Sequence, residues 1–146
     1  MKCVYAGSFD PFTVGHYDIY KQAKEIFDEV ILVIANNPLK VRKFDAHKMD
    51  KILREKFGIN VVSYGGLVAD YCRENGVNFL VRGIRNTTDY LYEENVAKIN
   101  QELFDSLKTI YFRATFDTIS SSMVNELYRF GKDVSKYLPY SIKEVV

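Results

Sequence analysis

The stretch Ala6–Asp18, AGSFDPFTVGHYD, has the pattern of a crossing from a buried strand to an amphipathic helix. The run Lys2–Tyr5 before it is short and apolar, as buried strands are. Gly7 predicts a sharp turn off the strand, and the pair Asp10-Pro11 is typical of turns. After the stretch, apolar residues recur at helical spacing, namely Tyr17, Tyr20, Ala23, Ile26, Phe27 and Val30. The chain is therefore predicted to pass from strand to helix within these residues.

His16 follows Gly15 and is predicted to open this helix, while Gly15 leaves room for a bulky group to approach the backbone. A helix start presents unpaired N–H groups and the positive end of the helix dipole, so anions bind there readily. Two roles for His16 remain open. In one, a ring nitrogen is tied to the backbone, as in most histidines outside active sites; in the other, the ring donates to a phosphate. Position alone favours the first role.

The rest of the chain alternates strand-like and helix-like patterns. Further strands are predicted at 30–35, 59–64, 78–81 and 108–113, and helices at about 16–28, 45–57, 67–75 and 88–103, with a last helix before Gly131. A stripe on the fourth helix is predicted to be core: Tyr92, Val96, Ile99 and Leu103. The alternation predicts an α/β fold, a single-domain, doubly wound (Rossmann-like) five-stranded parallel sheet over residues 1–146. Ligands are expected at the carboxyl edge of that sheet.

Composition narrows the classes of function. Hydrophobic residues make up 47% and charged residues 27% of the chain, as in ordinary globular proteins. The net charge of +1 argues against a nucleic-acid partner and favours a small molecule. The first residues lack the apolar core of a signal peptide, and the longest apolar run, Val30–Ala35, is too short to span a membrane, so a cytoplasmic protein is expected. Cys3 and Cys72 lack neighbours at metal-ligand spacing and are interpreted as core residues.

Three polar motifs follow predicted strands. The loop 36–43 carries Lys40 in a small cluster of cations. The string Arg82–Arg85, RGIR, sets two guanidinium groups around a glycine, which suits a phosphate held from both sides. The row Ser120–Ser122 exceeds the single hydroxyl that a helix N-cap needs. Each motif alone also fits a solvated surface, but the predicted sheet brings all three to one edge, where they predict an anion site.

The string G-S-F-D-P-x-T-x-G-H at residues 7–16 resembles the signature of the HxGH nucleotidyltransferase superfamily, with Thr13 in place of the first His. Together with RGxR at Arg82 and ISSS at Ile119, it is similar to the bacterial-type phosphopantetheine adenylyltransferases. The resemblance spans nearly the full length and places three separated motifs in the right order. The departures are Ser8 where Thr is usual, Phe116 where a larger aromatic residue can occur, and a shortened segment around 45–58.

The resemblance implies transfer of the adenylyl group of ATP to 4'-phosphopantetheine, giving dephospho-coenzyme A and pyrophosphate. It implies His16 as the catalytic residue, Mg²⁺ carried by ATP without a dedicated protein site, a homohexamer, and coenzyme A as a feedback ligand. The implied acceptor-binding residues are Ser8, Lys40, Val68 and Arg82. The implied ATP-binding residues are Ser8, Phe9, His16, Gly83, Ile84, Arg85, Glu93, Phe116, Asp117, Thr118, Ile119, Ser120, Ser121 and Ser122.

Two alternatives remain open. A relative that shares the His motif would transfer a nucleotidyl group to another phosphorylated acceptor, although RGxR and ISSS argue against it. A non-catalytic nucleotide-binding module would have kept the pocket and lost turnover, although His16 and Lys40 are intact. A phosphate monoester has a second pKa of about 6, so the acceptor needs no general base at neutral pH. The 11 Tyr and 10 Phe add a mild indication of subunit interfaces.

Overall fold

The computed structural model describes residues 1–146, and its centre is a sheet of five parallel strands. Their bounds are β1 Lys2–Gly7, β2 Glu29–Ala35, β3 Asn60–Tyr64, β4 Phe79–Ile84 and β5 Lys108–Arg113. The strand order is β3-β2-β1-β4-β5, and every neighbouring pair is parallel. The predicted five-stranded, doubly wound α/β fold is confirmed.

Helices connect and follow the strands. Their bounds are α1 Val14–Ile26, α2 Ala46–Phe57, α3 Val68–Glu74, α4 Thr87–Leu103 and α5 Ser121–Arg129, followed by short 3₁₀ turns at Ser135–Tyr137 and Ile142–Glu144. The Asp45 carboxylate accepts from the Lys48 N–H and caps α2, as predicted. Gly58, which follows α2, has φ of 65°, a left-handed conformation that glycine adopts without steric cost. No helix is both long and apolar enough to cross a membrane.

Both faces of the sheet are covered, which explains the continuous apolar runs of the central strands. One cluster of 21 buried residues packs α1, α2 and α5 against the sheet, and a second cluster of 10 packs α3 against the opposite face. Successive β1 residues alternate between them: Cys3 and Tyr5 join the first cluster, Val4 and Ala6 the second. Cys3 and Cys72 are fully buried, which confirms their interpretation as core residues.

The strand order reverses between β1 and β4. Because consecutive connections leave these two strands in opposite directions, their carboxyl ends border a crevice, which is the usual ligand position in doubly wound sheets. The α1 helix starts at this crevice, and the RGIR string reaches it from β4. The topology therefore puts the helix start that carries His16 and the RGIR string at one edge of the sheet, as predicted.

Several local predictions were wrong. The stripe on α4 is not core, since Tyr92 is 66% and Ile99 58% exposed, and the one buried residue of that helix is Glu93. The α1 helix begins at Val14 rather than at His16. The β4 strand continues to Ile84, so Arg82 and the two residues after it lie within the strand, not beyond it.

Candidate active site

A cleft of about 340 Å³ opens where β1 and β4 end, between the first turns of α1, α4 and α5. Most of the predicted site residues line it: Ser8, Phe9, His16, Arg82, Gly83, Arg85, Glu93, Phe116, Ile119, Ser120, Ser121 and Ser122. These residues come from three distant parts of the chain. The structure therefore brings the motif of His16, the RGIR string and the row Ser120–Ser122 together around one cavity, while the loop that carries Lys40 does not line it.

Five predicted residues do not line this cleft. Lys40 is exposed on the loop between β2 and α2, and Val68 opens α3 and packs against the smaller buried cluster. Ile84 ends β4, while Asp117 and Thr118 are exposed on the loop before α5. Their assignment to the substrates stays a prediction.

The cleft also contains residues that the sequence did not single out for this role. Tyr5 at the carboxyl end of β1 is only 4% exposed, yet its hydroxyl makes no hydrogen bond within the chain. Since no side-chain oxygen or nitrogen is both fully buried and unpaired, that hydroxyl opens to the cleft. Tyr92, which was assigned to the core, is a lining residue instead. The sequence could have indicated this role for Tyr5, because the residue lies near the carboxyl end of a predicted buried strand, where ligands bind in doubly wound sheets.

The His16 ring combines the two roles that the sequence left open. Thr13 caps α1, and its backbone N–H donates to His16 Nδ1 over 2.9 Å, while the His16 N–H donates back to Thr13 Oγ1 over 3.3 Å. This reciprocal arrangement is a capping box. Because Nδ1 accepts, the neutral ring carries its proton on Nε2. Nε2 has no partner within the chain and is not fully buried, so it is available to a ligand in the cleft.

The charge state of His16 follows from its surroundings. Burial, followed by the charges of Arg82 and Arg85, lowers the pKa of His16 from 6.5 to about 3. The ring is therefore neutral at physiological pH. A neutral imidazole with its proton on Nε2 can donate one hydrogen bond to an anion and does not need to be charged to do so.

The ring of Phe9 fixes the wall beside His16. The two rings meet edge to face with centroids 5.0 Å apart, and the Phe12 ring packs against both, 5.6 Å from His16 and 5.5 Å from Phe9. A side chain on Gly7 would place its Cβ 3.1 Å from the Phe9 ring, so this glycine is needed for space. The chain leaves β1 after Gly7, as predicted, but the residue with a positive φ, 45°, is Phe9.

Two arginine–carboxylate pairs form the opposite wall. Arg82 grips Glu93 with two hydrogen bonds of 2.7 and 2.6 Å and also donates to the Ala6 carbonyl. Arg85 pairs with Asp89, in the first turn of α4, at 2.9 Å. Each guanidinium has five N–H donors, so both arginines keep donors for a ligand. The two positive and two negative charges of this wall balance, and its carboxylates are already paired, so the N–H donors that remain free are those of the guanidinium groups.

The three serines of the row Ser120–Ser122 make different contacts. Ser120 caps α5 by accepting from the Met123 N–H over 3.1 Å, which is the ordinary structural role. The Ser121 hydroxyl donates to the Pro11 carbonyl over 2.8 Å and ties α5 to the turn before α1. Ser122 makes no side-chain hydrogen bond within the chain and lines the cleft. A free hydroxyl and the start of a helix together favour an anion.

The arrangement suits phosphate chemistry. The cleft offers the His16 Nε2–H, two guanidinium groups and the free Ser122 hydroxyl at the start of α5, all of which are donors. No group of three or more His, Cys, Asp or Glu side chains stands close enough to hold a metal ion. Both cysteines are buried, and burial raises the pKa of Cys72 to about 11, so neither is an activated nucleophile. The site is built to bind phosphates and to stabilise charge that develops on them.

Comparisons with known proteins agree with this arrangement. A sequence model of the cytidylyltransferase-like family matches residues 4–127. A bifunctional NMN adenylyltransferase/ADP ribose pyrophosphatase from Francisella tularensis has the same fold, with a TM-score of 0.70 over 99% of this chain and 46% of that chain, at 14% identity. Fold, cleft and family match together define the class as a nucleotidyltransferase.

Relatives of higher identity narrow the class. The phosphopantetheine adenylyltransferase of Cytophaga hutchinsonii is 37% identical over 145 residues, which is 95% of this chain and 97% of the relative. The phosphopantetheine adenylyltransferase of Thermotoga neapolitana is 39% identical over 144 residues, which is 94% of this chain and 89% of the relative. The chain belongs to the phosphopantetheine adenylyltransferase family, as the resemblance of its motifs indicated.

Proposed function

We propose that the protein transfers the adenylyl group of ATP to 4'-phosphopantetheine, forming dephospho-coenzyme A and pyrophosphate. The observation that carries this proposal is the neutral His16 ring, whose Nε2–H opens into a cleft lined by arginine and serine side chains. Such a donor serves a reaction in which phosphate oxygens gain charge. The identity of the two substrates is taken from the family to which the chain belongs.

The reaction needs no general base. With a second pKa of about 6, the acceptor phosphate is already largely ionised at neutral pH. One of its oxygens attacks the α-phosphorus of ATP, a new P–O bond forms, and the bond from the α-phosphorus to the bridging oxygen breaks to release pyrophosphate. In line with this, we assign His16 to an α-phosphate oxygen, where a preorganised donor stabilises the transition state.

The remaining site residues are proposed to hold the two substrates. Ser8 and Arg82 line the cleft and hold the acceptor phosphate, and Arg85 with the serine row holds ATP. Lys40 and Val68 follow β2 and β3, which lie on the β1 side of the sheet, and the pantetheine arm is proposed to extend in that direction. We propose that Lys40 swings onto the acceptor phosphate, since its loop is exposed and its side chain is free of hydrogen bonds.

The other features of the proposal concern the setting of the reaction. Mg²⁺ is carried by ATP oxygens and water, because the cleft carboxylates, Asp89 and Glu93, are paired with arginines. Residues 1–146 act as one nucleotidyltransferase domain in the cytoplasm. The exposed apolar side chains of α4, among them Leu91 and Ile99, support a homo-oligomer, proposed as a hexamer. Coenzyme A, which shares the pantetheine arm and the nucleotide, is proposed as a feedback ligand of the same cleft.

Pyrophosphate release tests the proposal. The protein is incubated with ATP, Mg²⁺ and one of three acceptors: 4'-phosphopantetheine, pantetheine without its phosphate, or nicotinamide mononucleotide. We expect pyrophosphate release only when the acceptor is 4'-phosphopantetheine. Mass spectrometry should then detect dephospho-coenzyme A. Release with the mononucleotide would establish a different acceptor. ATP binding without any release would establish a non-catalytic nucleotide-binding module.

A further inference from the structure

The turn between β1 and α1 is held by side chains from distant parts of the chain. Every carbonyl from Ser8 to Phe12 accepts one hydrogen bond from such a side chain. The donors, in order, are Arg42 Nη1 to Ser8 at 2.5 Å, Arg42 Nη2 to Phe9 at 3.1 Å, Asn125 to Asp10 at 2.9 Å, Ser121 to Pro11 at 2.8 Å and Tyr140 to Phe12 at 2.6 Å.

Arg42 is the one charged donor among them, and it binds two of the five carbonyls. Its Nε also donates to the Phe44 carbonyl over 3.1 Å, so all three nitrogens of the guanidinium bind backbone oxygens. Its side chain is only 14% exposed and lies 3.8 Å from the Asp10 carboxylate. Arg42 does not line the cleft. Because Arg42 is mostly buried, lies outside the cleft and donates to three carbonyls, its role is to hold the backbone of the turn in place.

The two carbonyls that Arg42 binds decide where two N–H groups point. In a planar trans peptide, the N–H points opposite to the C=O. The Phe9 N–H and the Asp10 N–H are therefore directed away from Arg42, and neither donates a hydrogen bond within the chain. Phe9 is only 2% exposed, and it lines the cleft. Because buried N–H groups are almost always paired, the acceptor of the Phe9 N–H has to come from outside the chain.

The conformation of Phe9 needs such support. Its φ of 45° lies in the left-handed region, which a bulky side chain seldom adopts. Residues remain in this region only where their surroundings hold them, often at functional sites. Here the Phe9 ring is wedged between Tyr5 and His16, and Arg42 holds the peptide groups on both sides of its Cα.

We propose that Arg42 is a positioning residue, which turns the Phe9 N–H into the cleft beside His16, where this N–H donates to a phosphate oxygen of ATP. The identity of that anion rests on the proposed function. Arg42 itself touches no substrate. It acts through the Ser8–Phe9 and Phe9–Asp10 peptides, so its loss would disorient a donor without removing any ligand contact of a side chain.

A purely structural role for Arg42 would be to fasten the loop before α2. That loop has a second attachment, because the Asp10 carboxylate accepts from the Lys43 N–H over 2.9 Å and from the Phe44 N–H over 2.7 Å. Both bonds use backbone donors and survive a change of the Arg42 side chain. Substitution of Arg42 therefore acts mainly on the carbonyls of the turn.

The test compares Arg42→Ala, Arg42→Lys and the control Lys43→Ala, which removes the same charge from the next residue without breaking a side-chain hydrogen bond. Turnover, KM for the acceptor, the Kd of ATP and the thermal midpoint are measured for each. A donor misplaced by about 1 Å costs about 10²-fold in rate, so we expect kcat of Arg42→Ala to fall about 10- to 100-fold. The Kd of ATP should rise, while KM for the acceptor should change by less than about threefold.

The other variants separate charge from geometry. Arg42→Lys keeps the charge but has a single nitrogen for two carbonyls, so it should restore less than half of the lost turnover. Added methylguanidinium should raise the turnover of Arg42→Ala and leave Lys43→Ala unchanged. If Arg42→Ala does not fold, Arg42→Lys decides the matter by the same measurements.

Two results would overturn the proposal. One is a kcat of folded Arg42→Ala, or of Arg42→Lys in its place, within about twofold of wild type. The other is an equal loss in Lys43→Ala, which would show a general effect of charge. If the wild type transfers to no acceptor, the proposed function fails, and the positioning role is then decided by ATP titration alone: an unchanged Kd in the Arg42 variants would refute it.

Discussion

Arg82 and Glu93 form a two-pronged ion pair in one wall of the cleft, with Nε 2.7 Å from Oε2 and Nη2 2.6 Å from Oε1. Glu93 is the one buried residue of α4, and its partner comes from the end of β4, so the pair joins the helix to the sheet. The sequence assigned the two residues to different substrates. The structure shows in addition that each of the two side chains is held in its position by the other.

The first prediction follows from this pair. Arg82→Ala should weaken acceptor use and also destabilise the fold, because it leaves the Glu93 carboxylate buried without its partner. A fully buried pair costs more when broken, but about a quarter of the Arg82 side chain is exposed, so we expect a loss of about 2 to 3 kcal/mol. The double variant Arg82→Ala, Glu93→Gln should recover part of this loss. Urea unfolding measures it, and equal stability of the single and double variants would contradict the prediction.

The second prediction separates the two roles of His16. A Gln at this position can still accept from the Thr13 N–H and complete the capping box, but it lacks the imidazole donor. His16→Gln should therefore keep its thermal midpoint and lose about 10²- to 10³-fold in turnover. His16→Ala should lose both turnover and about 1 kcal/mol of stability. Single-turnover rates and thermal melts on the same samples check this. A destabilised but active His16→Ala would contradict the catalytic role.

The third prediction concerns pH. Burial, with the charges of Arg82 and Arg85, lowers the pKa of folded His16 to about 3, whereas the unfolded chain binds this proton below about 6.5. The stabilising effect of a neutral His16 is thus complete above about pH 6.5 and is lost as the pH falls towards 3. Wild type should lose more stability than His16→Gln between pH 7.5 and 5, as chemical denaturation at both values would measure. Parallel losses in the two proteins would contradict the lowered pKa.

The fourth prediction tests Lys40, which lies outside the cleft in the structure. If its loop brings it onto the acceptor phosphate, Lys40→Ala should raise KM for 4'-phosphopantetheine about 10-fold, as the loss of a charge-assisted hydrogen bond would. The Kd of ATP should not change. Lys43→Ala is the matched control, since it lies on the same loop and is equally exposed. Steady-state kinetics with 4'-phosphopantetheine measures KM, and calorimetric titration measures the Kd of ATP; an unchanged KM would remove Lys40 from the site.

The fifth prediction concerns assembly. Ile99 is 58% exposed on α4, and a charge there should prevent burial of that helix face against a second subunit. Ile99→Glu should lower the mass measured by light scattering at micromolar protein. Lys98→Glu, a substitution at the neighbouring exposed residue, should leave the mass unchanged. A monomeric wild type would contradict the proposed homo-oligomer.

Much of the fold was predictable because its signals are local. The run VILVIA has the continuous apolar pattern of a strand covered on both faces, and it became β2, an inner strand between β3 and β1. Asp45 and Gly58 marked the two ends of α2, since an N-cap carboxylate and a left-handed glycine act within one turn of the helix. The alternation of such segments was enough to predict a doubly wound sheet.

Predictions from periodicity failed where the environment of a face is set by other elements. The stripe with Tyr92 and Ile99 has helical spacing, but spacing does not show which face turns to the sheet. In the structure, α4 turns Glu93 inwards to meet Arg82, and the apolar stripe faces outwards. A buried ion pair outweighed the hydrophobic pattern at this position.

The sequence by itself determined the class of the fold, the order of the His16, RGIR and Ser120–Ser122 motifs along the chain and the edge of the sheet at which they meet. The succession of strands and helices follows from local patterns, and loops that leave parallel strands reach one edge. Only the tertiary structure decided the tautomer of His16, the pairing of Arg82 with Glu93 and the part that Arg42 plays at the Ser8 and Phe9 carbonyls. Each of these depends on hydrogen bonds whose direction and partners are set in three dimensions, often between residues far apart in the chain.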